Sequence, residues 1–181
     1  MSDLDTARRY AQDVIERLSP WVDRAEIAGS IRRGKAEVGD IDIVVVPSQF
    51  LSGLFDDETG PALAEIREIA SRMGHITKGG ARYIQIEDCL GSGLKLELWI
   101  VLPPAEFGPI YAIRSGPAEY SQMLVTRLKG RCWKCEDGRV TDDLGRHIPC
   151  ETEEAFFAAA QVPWVPPEER SNYVVVGSLR P

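Results

Sequence analysis

Between Asp40 and Pro47 the chain reads Asp-Ile-Asp-Ile-Val-Val-Val-Pro. A run so rich in β-branched residues favours an extended strand, and Pro47 ends it. Side chains two apart in a strand share a face, so Asp40 and Asp42 are predicted to project together. Two carboxylates on one face repel each other unless something neutralises them. The strand is otherwise apolar, so a divalent cation held by oxygen ligands is the natural partner. Any fold for this chain must bury the strand yet leave that pair reachable.

The rest of the chain supplies alternating helices and strands. Leu4, Ala7, Ala11, Val14, Ile15 and Leu18 recur at helical spacing, which predicts an amphipathic helix ending before Pro20. Glu26–Ala28 reads as a short strand running into Gly29-Ser30. Residues 48–60 read as a loop. Pro61 then opens a helix with Leu63, Ile66, Ile69 and Met73 on one stripe, stopped by Gly74, and His75 reads as a loop residue. Strands are expected at 81–88 and 94–102, joined by Gly91-Ser92-Gly93 and closed by Pro103-Pro104. From Phe107 the texture changes. A helix from Pro117 carries Tyr120, Leu124 and Leu128 and ends at Gly130. Short β-like pieces follow, with turns at Asp137-Gly138 and Leu144-Gly145. Thr152 caps a last helix whose Phe156 and Phe157 face inward, and Val162–Pro167 is extended. The fold class expected is α/β (α+β): a lobe with a mixed sheet and helices over residues 1–105, a smaller α+β lobe over 106–170, and a tail at 171–181.

The 181-residue chain is 44% hydrophobic, enough for a packed core. No apolar run approaches the ~20 residues of a membrane span, and Met1–Arg9 is polar and acidic, unlike a secretory signal. The expectation is a soluble, intracellular (cytoplasmic) monomer without a membrane partner. The net charge of -7 works against nucleic-acid binding, which relies on Lys and Arg displacing counterions. The basic residues are clustered, however: Arg32, Arg33 and Lys35, then Arg127, Lys129, Arg131 and Lys134. Local field matters more than net charge.

The informative stretch runs from Gly29 to Asp42, Gly-Ser-Ile-Arg-Arg-Gly-Lys-Ala-Glu-Val-Gly-Asp-Ile-Asp. A glycine-bounded turn with a hydroxyl and two guanidinium groups suits a phosphate chain. Carboxylates for Mg²⁺ beside donors for phosphate describe phosphoryl or nucleotidyl transfer. A third acid is expected from a neighbouring strand. Glu97 qualifies, because it shares its face with Lys95 and Trp99 and has apolar neighbours.

These residues resemble the palm motif of family X DNA polymerases, with the same spacing. Thr152-Glu153-Glu154-Ala155-Phe156-Phe157, followed by Val162-Pro163-Trp164-Val165-Pro166-Pro167-Glu168-Glu169-Arg170, resembles the end of that family's thumb. The resemblance implies a palm at 1–105 and a thumb at 106–170. It implies that Asp40 and Asp42 bind two ions, Mg²⁺ or Mn²⁺, and that Glu97 binds the catalytic one. It further implies that Gly29, Ser30, Arg33 and the Gly39 backbone hold the nucleotide's phosphates. Lys95 would lie near the primer-terminal phosphate, and Lys78 and Arg82 near the nucleic-acid strand. The reaction implied is attack of a DNA 3′-hydroxyl on the α-phosphate of a dNTP (or NTP), with pyrophosphate released. The partners are primer-template or gapped DNA, the role is repair or gap filling, and the source is bacterial or viral.

The sequence also departs from the family. Lyase and fingers domains are expected to have no counterpart ahead of residue 1, as in minimal palm-plus-thumb members. Glu97 stands where the family has Asp, and a displacement of about one bond length can cost ~10²-fold in rate. Ile113-Arg114-Ser115-Gly116 occupies the nucleotide-binding segment where the family has an aromatic pair before Thr-Gly. Several alternatives stay open. Arg32 reads equally as a surface charge, and Arg114 as a solvated residue at a helix start. Cys132, Cys135, His147 and Cys150 have zinc-like types and spacing, Cys-x2-Cys-x11-His-x2-Cys. Buried thiols are the favoured reading, and Cys89 reads as core. Trp133, between Arg131 and Lys134, reads as packing or as a base-stacking platform. Two other functions remain beside the polymerase: a nucleotidyltransferase with an RNA, small-molecule or protein acceptor, and a non-catalytic nucleotide- or DNA-binding relic.

Overall fold

The structure is a computed structural model that describes residues 1–48 and 60–172. Most of the expected 48–60 loop, and the tail from 173 on, lie outside the described residues.

The β-branched run forms β4 (Asp40–Pro47), inside a mixed five-stranded sheet of order β2-β4-β7-β6-β5. Its partners are β2 (Val22–Ile27), β7 (Lys95–Ile100), β6 (Tyr83–Glu87) and β5 (His75–Gly79). The β4–β7 pair is parallel and the other pairs are antiparallel. Two long helices, α1 (Leu4–Leu18) and α3 (Pro61–Met73), cover one face. Strand alternation sends Ile41, Ile43 and Val45, Leu96, Leu98 and Ile100, and Ile84 and Ile86 into that layer, against Ala7, Ala11, Val14 and Leu18 of α1 and Leu63, Ile66 and Met73 of α3. The same period of two turns Asp40, Asp42, Lys95, Glu97 and Trp99 to the opposite face.

A short helical turn, α2 (Gly29–Arg32), and a two-residue strand, β3 (Glu37–Val38), lead into β4; β3 pairs with β1 (Ser2–Asp3). Beyond the sheet come α4 (Phe107–Ser115), α5 (Ala118–Lys129), a small hairpin of β8 (Lys134–Glu136) and β9 (Arg139–Thr141), and α6 (Glu153–Ala159), capped by the Thr152 hydroxyl. Tyr120, Leu124, Leu128, Val140, Phe156 and Phe157 make a second core. A third cluster joins the two: Phe107 and Tyr111 of α4 cover Ala28, Val44 and Val101 on the upper part of the open sheet face. Asp40, Asp42 and Glu97 lie on this same face outside that cluster. Among the described residues no helix is long and apolar enough to cross a membrane.

Several expectations need correction. The strand before the Gly29-Ser30 turn begins at Val22, not Glu26, because its outer half is an edge with little apolar periodicity. His75 is not a loop residue: it opens β5, an edge strand whose one apolar side chain is Ile76. Gly74 ends α3 with extended backbone, and it is needed because a Cβ there would lie 2.6 Å from the Glu87 carbonyl. Helix α4 was not among the expected elements; its first turn contains Gly108 and Pro109, both poor helix formers. Pro109 falls in its first turn, where no N–H is required. At Gly108 a Cβ would lie 2.1 Å from the Thr152 carbonyl and 2.4 Å from that of Cys150, so glycine lets α4 touch the α6 entry.

Gly108→Ala should therefore cost about 1–3 kcal/mol of stability by overpacking backbone. Urea denaturation checks it; a loss under about 0.5 kcal/mol, the level of a surface substitution, would show that α4 is not pinned there.

Candidate active site

Parallel pairing of β4 with β7 sets Asp40 opposite Lys95 and Asp42 opposite Glu97. The row continues across the open face: Gln85 Nε2 donates to Glu97 Oε1 (3.4 Å), and Thr77 Oγ1 donates to Gln85 Oε1 (3.1 Å). Lys95 Nζ lies 2.7 Å from Glu97 Oε1 and 3.9 Å from Asp40 Oδ2. The Glu97 hydrogen bond raises the lysine's pKa above its usual value. Burial, then the neighbouring Asp40 and Glu97 charges, push Asp42 up to about 7; a Trp99 Nε1 hydrogen bond (3.4 Å) and Arg33 pull it back only in part. Three acids thus crowd one surface, with Lys95 among them and the Arg33 and Arg114 guanidinium groups near enough to act on the same carboxylates. Among the described residues no three His, Cys, Asp or Glu side chains are drawn together tightly enough to hold a metal as they stand. Here Lys95 takes up Glu97 instead. The donor chemistry, all carboxylate oxygen, nevertheless suits Mg²⁺ or Mn²⁺.

The Gly29 turn abuts this face directly. Ala28 N–H donates to the Asp42 carbonyl (2.8 Å). Gly29 has φ +58°, and a Cβ on it would come within 1.9 Å of Asp42 Oδ2, so only glycine admits that carboxylate. Ser30 Oγ is buried without a hydrogen-bond partner, which suits a hydroxyl awaiting a ligand oxygen. Arg33 Nη1 donates to the carbonyls of Ser115 (2.6 Å) and Gly116 (3.1 Å), while its Nε is buried and unpartnered. Burial lowers the Arg33 pKa against the pull of Asp42 and Asp40. Gly39 is exposed at the head of β4.

Arg32 is not a surface charge. Its Nη1 and Nη2 donate to Glu153 Oε1 (2.7 Å) and Oε2 (2.8 Å) at the start of α6; Nη1 also donates to Ser115 Oγ, and the guanidinium lies 3.8 Å over the Tyr111 ring. Glu153, 4% exposed, also accepts from Arg170 Nη1 (3.0 Å) and Trp164 Nε1 (2.9 Å). Burial alone would push its pKa up. The bonds from Arg32, Arg170 and Trp164 outweigh that and hold it at about 2.

Arg114 is not a solvated helix-start residue either. It lies in the last turn of α4, stacked 3.5 Å over the Trp99 ring, with Nε buried and unpartnered. Beside it a cavity of about 270 Å³ is lined by Tyr83, Trp99, Ile113, Arg114 and Asp137. Lys78 is exposed on β5. Arg82 is engaged elsewhere, donating to the carbonyls of Leu102 (2.6 Å) and Pro103 (2.8 Å). Cys132 is exposed, Cys135 half-buried and Cys150 fully buried, so the four zinc-type residues do not share one environment. The His147 ring is 3.0 Å from Glu106 Oε2, which also accepts the Cys150 N–H (2.9 Å). Burial pushes Cys135 up to about 11 and Cys89 and Cys150 up to about 12. The joint role of Glu153, Trp164 and Arg170 is not legible in the sequence, because Glu153 meets Arg32 across 121 residues.

Residues 112–171 match the family model described as DNA polymerase beta thumb. This segment, which supplies Ser115, Gly116, Glu153, Trp164 and Arg170, relates the chain to the polymerase β-like family X. The match does not extend over the sheet that carries Asp40, Asp42 and Glu97. No curated protein matches the chain.

Because Glu153 titrates at about 2 when folded against 4.5 ordinarily, its contribution is present above pH ~4.5 and is lost as pH falls toward 2. The difference amounts to roughly 3 kcal/mol. Urea denaturation should find Glu153→Gln several kcal/mol less stable at pH 7, since a buried pair broken on one side costs about 3–5 kcal/mol. The gap from wild type should narrow steadily from pH 5 to pH 3.

Proposed function

We propose that this chain is a nucleotidyltransferase of the family X DNA polymerase type, with residues 1–105 as palm and 106–170 as thumb. It would add nucleotides to a DNA 3′-end and release pyrophosphate, in repair or gap filling. The observation that carries this reading is the in-register Asp42–Glu97 pair with Asp40, set against the Gly29 turn and facing a thumb-matching segment.

Asp40 and Asp42 would hold two ions, Mg²⁺ or Mn²⁺, with Glu97 completing the ligands of the one nearer the attacking hydroxyl. When bound, such ions supply charge stabilisation to the entering and leaving oxygens. The chain's own groups bind and orient. The orphaned Ser30 hydroxyl donates to a phosphate oxygen. Arg33, already fixed by the Ser115 and Gly116 carbonyls, turns its unpartnered Nε to the same phosphate chain, and the Gly39 backbone lies beside them. Lys95, exchanging Glu97 for the primer's terminal phosphate, neutralises that end of the acceptor. Arg114, with Ile113 beside it, contributes a cation stacked on Trp99 next to the nucleotide. Lys78 contacts the nucleic-acid strand, while Arg82 positions the turn at Leu102–Pro103. Charge held in advance where it develops is the main catalytic resource of such a site.

A second reading, transfer to a non-DNA acceptor such as RNA, a small molecule or a protein, is favoured by the net charge of -7. Primer extension separates the two. Each dNTP and NTP is offered with gapped, template-primer and single-stranded DNA, in Mg²⁺ and in Mn²⁺. Wild type should extend DNA, and Asp42→Ala should lose about 10²–10³-fold or more, the order that one electrostatic group at the reacting centre is worth. Nucleotide binding without extension of any DNA would sink the polymerase assignment.

A further inference from the structure

The open face of the sheet carries more than its acids and their cations. Gln85 stands opposite Glu97 across the antiparallel β6–β7 pair. Ile84 and Ile86, its neighbours in sequence, turn into the core layer with α1 and α3. Gln85 itself is only 8% exposed. Another apolar side chain would meet the needs of packing there, and a buried amide costs free energy unless its hydrogen bonds are made. Its partners decide how it is turned. Glu97, ion-paired with Lys95, only accepts, so the amide NH2 faces it (3.4 Å). The amide carbonyl then faces the Thr77 hydroxyl, which donates at 3.1 Å.

Trp99 makes the second contact of this kind. It follows Glu97 by two positions on β7 and so shares its face. Across the sheet it pairs with Val44 on one side and Tyr83 on the other. Asp42 is two positions before Val44 on β4, and Trp99 Nε1 donates to Asp42 Oδ1 (3.4 Å). The indole is held in place from two sides. Its ring centre lies 4.3 Å from that of Tyr83 and 3.5 Å from the Arg114 guanidinium.

Both contacts are at the long end for a hydrogen bond. A neutral N–H at that distance does little to offset a carboxylate's charge, but it does favour one direction for the carboxylate to turn. A cation in either place would orient its acid as well, and it would also repel a metal ion. An amide and an indole orient without that repulsion.

We propose that Gln85 and Trp99 are positioning residues for a divalent cation, Gln85 fixing the orientation of Glu97 and Trp99 that of Asp42, so that both acids turn toward one ion. This rests on the reading of those carboxylates as metal ligands. Groups that hold ligating side chains by hydrogen bonds typically set metal affinity by 10–100-fold.

The test is the affinity of the full chain for Mn²⁺ alone, without nucleotide or DNA, read from the EPR signal of the free ion. Gln85→Leu and Trp99→Phe keep an apolar side chain in place and remove its N–H. Each should weaken Mn²⁺ binding about tenfold or more, with circular dichroism showing that the variant is folded. A Glu97→Gln background separates positioning from a general loosening of the sheet. There Gln85→Leu should cause no further loss, because the acid it acts on is gone. Trp99→Phe should still weaken Mn²⁺ about tenfold, through Asp42. Unchanged affinity in either single variant, or a Gln85→Leu loss as large with Glu97→Gln as without it, would overturn the proposal. Failure of wild type to bind Mn²⁺ would overturn the metal reading of the carboxylates and this proposal with it. The expected losses in Mn²⁺ affinity without nucleotide transfer to any acceptor would uphold the positioning role and count against the proposed reaction alone.

Discussion

The arrangement of the molecule depends on Glu153. One carboxylate, 4% exposed, is shared by Arg32 from the turn before β4, by Arg170 and Trp164 from the end of the helical part, and by the helix start on which it sits. A bidentate guanidinium–carboxylate pair is directional as well as strong. A buried charge held by two guanidinium groups and a neutral indole N–H tolerates little displacement, since losing a charged partner leaves a buried charge uncompensated. The pair therefore fixes the angle between α6 and the Gly29 turn. Arg33 and Ser115 follow from it: Arg32 bridges Glu153 and the Ser115 hydroxyl, and Arg33 takes the carbonyls of Ser115 and Gly116. The basic turn that the proposed function assigns to phosphate is thus divided. Arg32 is structural, and Arg33 is anchored through Nη1 with its buried Nε left unpartnered.

The carboxylate face shows the opposite economy. Asp42 is held by Gly29's missing side chain, by burial and by Asp40, at a pKa near neutrality. Lys95 relieves part of the repulsion by bonding to Glu97. Electrostatic strain of this sort clusters where a protein must bind or react. Here it is tolerated because the surrounding sheet is over-determined: Ile41, Ile43, Leu96 and Leu98 are fully buried between the very residues that repel.

Local physics was readable in the chain. The β-branched run, the period of two that places Asp40 with Asp42 and Lys95 with Glu97 and Trp99, the stripes of α1 and α3, the Gly130 stop and the Thr152 cap each depend on neighbours a few residues apart. Helix α4 was not readable, because Gly108 serves a contact with Cys150 and Thr152 some forty residues later. Strand β5 was not, because an edge strand needs hydrogen bonds from β6 more than it needs apolar side chains.

The sequence by itself determined which residues share a face and which glycines and prolines break an element, since those follow from backbone sterics and a fixed repeat. Only the tertiary structure decided what those faces meet. It paired Asp42 with Glu97 across β4 and β7, gave Arg32 to Glu153 rather than to solvent, laid Arg114 on Trp99, and tied Arg82 to the Leu102–Pro103 turn. The physical reason is that a guanidinium or a carboxylate takes its partner from whatever lies within about 3 Å, and that depends on chain segments brought together by burial of the three apolar clusters.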